Sequence, residues 1–227
     1  MNAFSRLFAV STLMLGASVA ASATPIAAGG SATATSVTTN SIGTVASYVN
    51  TPYISQSATL PSTFNGTYSE YVYKDSSNTL CGTAGSCLTF AIQVANSASS
   101  ADGIETVTTG PFSSAFTYNV GYSSVSGGVA PLTVTDSIYG AMAFSFTTPT
   151  DASNILRPGL TSDYLIIQTS ATNFAAGNLS FQDSQTATVA GFVPAVAVTP
   201  EPSSLVLLGT GLIGTATTLL RRRKLIA

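Results

Sequence analysis

The chain has 227 residues, of which 45% are hydrophobic and only 7% charged, and it contains no histidine. Without imidazole the usual serine and cysteine triads lose their general base, and histidine-ligated metal centres are excluded. Five of the seven Lys/Arg residues lie in the chain ends; the body keeps only Lys74 and Arg157 against eight acids, a net charge of minus six that offers no basic face to a phosphate backbone and excludes nucleic acid as a partner.

At the amino terminus Arg6 precedes an apolar run from Leu7 to about Ala21, and the small-x-small triplet Ala21-Ser22-Ala23 offers a cleavage point between Ala23 and Thr24. Residues 1–23 therefore read as a secretory signal peptide, with signal peptidase and the secretion machinery as partners. Residues 24–41, rich in Ala, Gly, Ser and Thr, are expected to form a loose leader, after which Ile42 to Val49 could start a first strand.

From 42 to 193 the periodicity is that of strands. Leu88, Phe90, Ile92 and Val94 fall on one face, with Thr89, Ala91, Gln93 and Ala95 on the other. Phe116, Tyr118, Val120 and Tyr122 repeat the alternation, as do Ile138, Met142, Phe144 and Phe146 around Gly140. Tyr68–Tyr73, Ile104–Thr108, Leu132–Thr135, Tyr164–Thr169 and Thr188–Val193 are further strands. Ser126-Gly127-Gly128 and Arg157-Pro158-Gly159 punctuate them as turns. Short strands at this spacing, with no helical period between them, predict one all-β domain, an antiparallel sandwich of jelly-roll type.

Few residues in this body suit catalysis. The eight acids are Glu70, Asp75, Asp102, Glu105, Asp136, Asp151, Asp163 and Asp183; a glycosidase needs two of them paired, and nothing in the sequence pairs them. Lys74 next to Asp75 and Glu70 reads as an exposed charged patch rather than half of a Ser-Lys dyad. Asp102-Gly103-Ile104-Glu105 lacks the acidic spacing of a calcium loop and reads as a turn. Cys81 and Cys87, the only cysteines, are expected to form a disulfide in an exported chain, because the spacing is not Cys-x-x-Cys and no histidine completes a zinc shell. The expectation is a protein that is not an enzyme, with no catalytic residue, cofactor or metal.

Residues 194–199 form a spacer before Pro200, Glu201 and Pro202. The uncharged stretch Ser203–Leu220 follows, 18 residues that as a helix would reach roughly 27 Å, enough for a hydrocarbon core. Arg221, Arg222, Arg223 and Lys224 then act as a cytoplasmic stop. Within the span, Gly209-Thr210-Gly211-Leu212-Ile213-Gly214 matches a dinucleotide fingerprint, but no strand with an acidic residue follows it.

This order of triplet, short span and basic stop resembles the PEP-CTERM sorting signal. The resemblance implies processing by exosortase, a transient membrane anchor, and delivery to the cell surface or extracellular matrix with exopolysaccharide as a partner. The runs Arg157–Thr169 and Ala190–Pro194 resemble the β-rich bodies found upstream of such tails. Two binding alternatives accompany this reading of a non-catalytic matrix or biofilm protein. One is a glycan module using Tyr68, Tyr71, Tyr73 and Tyr122 as stacking faces. The other is ice binding, since such tails also occur on some ice-adhering proteins. The pairs Thr33/Thr35, Thr106/Thr108, Thr133/Thr135 and Thr186/Thr188 have the required spacing but are scattered along the chain, as threonines on the outward faces of ordinary strands are.

Overall fold

A computed structural model describes residues 23–57, 59–112, 114–138, 140–148 and 155–196, together with Thr210. The signal peptide up to Ser22, Asp151, the Pro200-Glu201-Pro202 triplet, the apolar span apart from Thr210, and the Arg221–Lys224 stop lie outside the described residues. Among the described residues no helix is long and apolar enough to cross a membrane.

The strands are β1 (Thr24–Ile26), β2 (Ser31–Thr33), β3 (Ser41–Ile54), β4 (Asn65–Asp75), β5 (Leu88–Asn96), β6 (Thr106–Gly110), β7 (Tyr118–Ser123), β8 (Gly128–Val129), β9 (Thr133–Asp136), β10 (Met142–Ser145), β11 (Thr161–Ser162), β12 (Tyr164–Thr169), β13 (Asn173–Gln182) and β14 (Thr186–Ala195). They form two sheets. Sheet A runs β3-β4-β5-β12-β7-β1, with β11 and β8 continuing from the far end of β5. Sheet B runs β14-β13-β6-β10-β9-β2. All ladders are antiparallel except β8 with β11.

The alternation read from the sequence sets which face turns inward. Leu88, Phe90, Ile92 and Val94 of sheet A meet Val107, Val134, Phe144, Leu179 and Phe181 of sheet B in one core, all at most 1% exposed. Each such side chain stabilises the sandwich by about 1.5–3 kcal/mol relative to exposure. Tyr53, Tyr68 and Phe181 bring three rings together within this core, with centroids 4.5 and 5.7 Å from Phe181.

Three expectations are corrected. Residues 24–41 are no loose leader: β1 adds to the edge of sheet A beside β7, β2 adds to the edge of sheet B beside β9, and residues 34–40 then cross the outside of sheet A as a strap. Small β-tolerant Ala, Ser and Thr side chains suit such edges, and Val37, 4% exposed, anchors the strap. Gly121 makes the crossing possible, because a Cβ there would stand 2.5 Å from the Thr35 carbonyl oxygen. The 194–199 spacer begins inside β14, where Pro194 is paired with Phe174. Ile138 is not on the strand of Met142 and Phe144; it lies 76% exposed in the Ser137–Gly140 turn, closed by the Gly140 N–H donating to the Ser137 carbonyl and by the positive φ of Gly140.

Candidate functional site

Sheet A is covered on its outer side as well. Tyr73, Ala91 and Ile166 point outward from three adjacent strands and, with Val37 and Ala23, form a second, smaller apolar cluster beneath the strap, against which Tyr71 and Tyr164 pack. Beside the strap lies a hollow of about 340 Å³. Tyr71 and Tyr164 stand in its wall with ring centroids 6.3 Å apart and planes at 69°, Ala91 and Ile166 form its floor, and Thr39, Ser41, Thr44 and Ser123 bring hydroxyls to it. No charged side chain lines it.

The strap is tied down at this point by Asp75. Its carboxylate accepts from the Asn40 N–H at 2.9 Å, the Ser77 N–H at 2.9 Å, the Ser77 hydroxyl at 2.5 Å, Thr89 Oγ1 at 3.1 Å and Gln168 Nε2 at 3.3 Å. Burial raises its pKa, but the hydrogen bonds from Ser77, Asn40 and Gln168 together outweigh it and hold the group below the ordinary carboxylate range. Tyr73, pushed up to about 12 mainly by burial, bonds to Thr39 of the strap.

Of the four tyrosines proposed as stacking faces, only Tyr71 and Tyr73 reach this hollow. Tyr68 is a core residue, 2% exposed, whose hydroxyl donates to the Ala190 carbonyl across the sandwich at 2.7 Å. Tyr122 shares the phase of core residues Tyr118 and Val120 and is half-buried. The sequence reading missed Tyr164, although its place in a strand opposite in phase to Leu165 and Ile167 was the available signal.

The expected exposed patch of Lys74, Asp75 and Glu70 does not exist. Only Lys74 is exposed; Asp75 and Glu70 are both fully buried. Glu70 turns inward between the sheets, where Oε2 accepts from the Phe192 N–H at 3.0 Å and Oε1 has no partner. Burial pushes its pKa up to about 8, against a smaller opposing effect of the Phe192 hydrogen bond.

The structure does bring acids together at one place. Asp183 lies beside Asp102 and Glu105, and burial, followed by a hydrogen bond and charge from Asp102 and charge from Glu105, raises it to about 6. Among the described residues no three Asp, Glu or Cys side chains are arranged to hold a metal ion. At one end of the sandwich, hollows of about 480 and 310 Å³ share Ala28, Ser114 and Asp136, and Asp136 Oδ1 is buried without a partner. Cys81 and Cys87 form the expected disulfide, with Cα atoms 5.8 Å apart, in the turn before β5.

The scattered threonine pairs come into register on the outer face of sheet B. One row across the sheet reads Thr188, Ser180, Thr108, Ala143, Thr135, Ser31; the next reads Thr186, Gln182, Thr106, Ser145, Thr133, Thr33. Neighbours within a row are about 4.8 Å apart and the rows roughly 6.7 Å apart, as strand geometry dictates. All twelve side chains are at least partly exposed, and neither row holds a charge. Thr35 is not among them; it lies on the strap, its hydroxyl 3.0 Å from that of Thr24.

The described fold is thus that of two β-sheets packed on one core, with outward strand positions rich in hydroxyls. The chain continues from its last strand into the segment that carries the sorting signal: residues 198–224 match the PEP-CTERM protein-sorting motif. That motif implies export and membrane-associated sorting, with exosortase as processing partner. No curated protein and no solved structure matches the chain.

Proposed function

We propose that the protein is a non-catalytic component of the cell surface or extracellular matrix, held among exported polysaccharide in a biofilm after exosortase has processed its tail. The sorting motif at 198–224 is the observation that carries this reading. A body with no histidine and a polar but nearly uncharged exterior suits a structural role outside the cell. Intact-mass analysis of protein recovered from cell envelope and medium tests it, with and without alanine at Pro200, Glu201 and Pro202. The expected result is loss of the carboxyl-terminal span that the substitution abolishes. A full-length tail in the mature protein would make this an ordinary membrane-anchored domain instead.

A second reading is favoured by the two rows on sheet B: a regular, uncharged array of hydroxyls and methyls presents a repeating template to ordered water, and adsorption to ice would be its use. Inhibition of ice recrystallisation by the full chain, lost when Thr108 and Thr135 are both replaced by lysine, is the expected outcome. Recrystallisation unaffected by the native protein would discard this reading and leave the rows as ordinary strand exteriors.

A further inference from the structure

We propose that the hollow on the outer face of sheet A binds one neutral sugar ring of a polysaccharide, with Tyr71 and Tyr164 as its aromatic walls. Its volume, about 340 Å³, is at the small end of the range of roughly 300–1,000 Å³ for small-molecule sites, which suits a single ring with its substituents. Because the planes of Tyr71 and Tyr164 meet at 69°, a ligand resting on the face of one meets the edge of the other. Such a corner offers the apolar C–H face of a pyranose a stacking surface. The small Ala91 side chain keeps the floor low, and Ile166 makes it apolar.

The polar part of the lining selects the ligand further. Thr39, Ser41, Thr44 and Ser123 are hydroxyl donors and acceptors, a set that matches sugar hydroxyls and that a hydrocarbon ligand would leave unpaired. An acidic sugar finds no cation here. Asp75, ionised and buried behind Tyr73, adds repulsion, as does the net negative charge of the body. The site is also held ready before binding: Asp75 fastens Asn40 and Tyr73 bonds to Thr39, so the strap side of the hollow needs little ordering. This inference supplies the matrix reading with a partner and does not depend on how the tail is cleaved.

The test is saturation-transfer NMR on the full chain in micelles of a detergent without a sugar headgroup, using gluco-, galacto- and manno-oligosaccharides and the corresponding uronic-acid oligomers. At least one neutral oligosaccharide is expected to bind saturably. Tyr71→Ala and Tyr164→Ala should each weaken it about tenfold, while Tyr71→Phe, which keeps the stacking face, stays within about twofold. Thr44→Trp is the control for misfolding, because Thr44 is exposed on an edge strand and an indole there fills the hollow without disturbing the core; it should abolish binding with the unfolding temperature unchanged. Binding of uronates alone would overturn neutrality while leaving a polysaccharide partner in place. Neutral binding indifferent to Tyr71, Tyr164 and Thr44 would move the site elsewhere, and no binding at all would overturn the inference while the mass of the tail still decides the matrix reading.

Discussion

The outer face of sheet A and the outer face of sheet B are drawn from the same stock of Thr, Ser, Ala and aromatic residues, yet they differ in what covers them. On sheet A the segment 34–40 crosses the strands, buries Val37 against Tyr73, Ala91 and Ile166, and leaves a hollow at its margin. On sheet B nothing among the described residues crosses the two rows from Thr188 to Ser31 and from Thr186 to Thr33, which remain at least partly exposed. The difference follows from side-chain bulk. Large outward residues on β4 and β12 provide an apolar surface worth covering, whereas threonine and serine are satisfied by water. A covered face with a gap presents a shaped, discriminating surface; a bare one presents only its repeat.

Both faces depend on one core, and the largest expected effect is a test of that dependence. Glu70 sits between the sheets with a folded pKa of about 8, against 4.5 for the free carboxyl. Between these values the folded state binds more protons than the unfolded one, so stability falls as pH rises through this window, by about 1.4 kcal/mol per unit for one proton, and levels off above about 8. Urea unfolding at pH 5, 6, 7 and 8 should show that slope, and Glu70→Gln should remove one proton's worth of it. An unchanged slope in the variant would place the titration elsewhere, Asp136 and Asp183 being raised in the same direction.

The strap comes next. Gly121→Val puts a Cβ in the space of the Thr35 carbonyl and of the Val37 side chain, whose Cγ1 would be 2.6 Å away, so the strap must lift or the strand must shift, at a cost of about 1–3 kcal/mol. Loss of protection of the Val37 amide, which donates to the Tyr122 carbonyl at 2.7 Å, would show by hydrogen exchange that the strap is what moved. Reducing Cys81–Cys87 releases the turn that leads into β5 and its Ala91 floor. For so short a loop the chain-entropy contribution is on the order of 2 kcal/mol, measurable as a lower urea midpoint with dithiothreitol.

What the sequence made legible and what it hid divide along the range of the interactions. The alternation in Leu88–Ala95 and Tyr164–Thr169 located β5 and β12 because burial of a strand face is written every second residue. β13 escaped: its first half, Asn173–Ala176, is exposed and its Ala-Ala-Gly centre carries no alternation, so its inward face shows only at Leu179 and Phe181 near its end. β1, β2 and the strap escaped because their order is imposed by partners distant in sequence: β7 for β1, β9 for β2, and Asp75 and Tyr122 for the strap. Glu70 was read as exposed because charge predicts solvent, although its phase with Tyr68 and Val72 already placed it inward. The hollow could not be read at all, since Thr39, Tyr71, Ser123 and Tyr164 meet only once β4, β7, β12 and the strap are assembled.

The smallest effects belong to the bare face, and they bear most directly on whether the two faces differ in kind. Thr106 and Thr133 are separated by Ser145 of β10, so their alignment is fixed by the inner residues Val107, Phe144 and Val134, not by the threonines. Thr108→Ala and Thr135→Ala should therefore each change unfolding free energy by less than about 0.5 kcal/mol, the ordinary range for exposed positions with no special partner. On sheet A the comparable truncation, Tyr164→Ala, removes an aromatic contact with Tyr71 worth about 0.5–1.5 kcal/mol beyond the apolar area it covers, and should cost more. Equal costs on both sides would mean that the strap and its tyrosines add nothing to folding. A large cost at Thr108 or Thr135 would mean that the hydroxyl rows stabilise the sheet itself, and their regularity would then need no external surface to account for it.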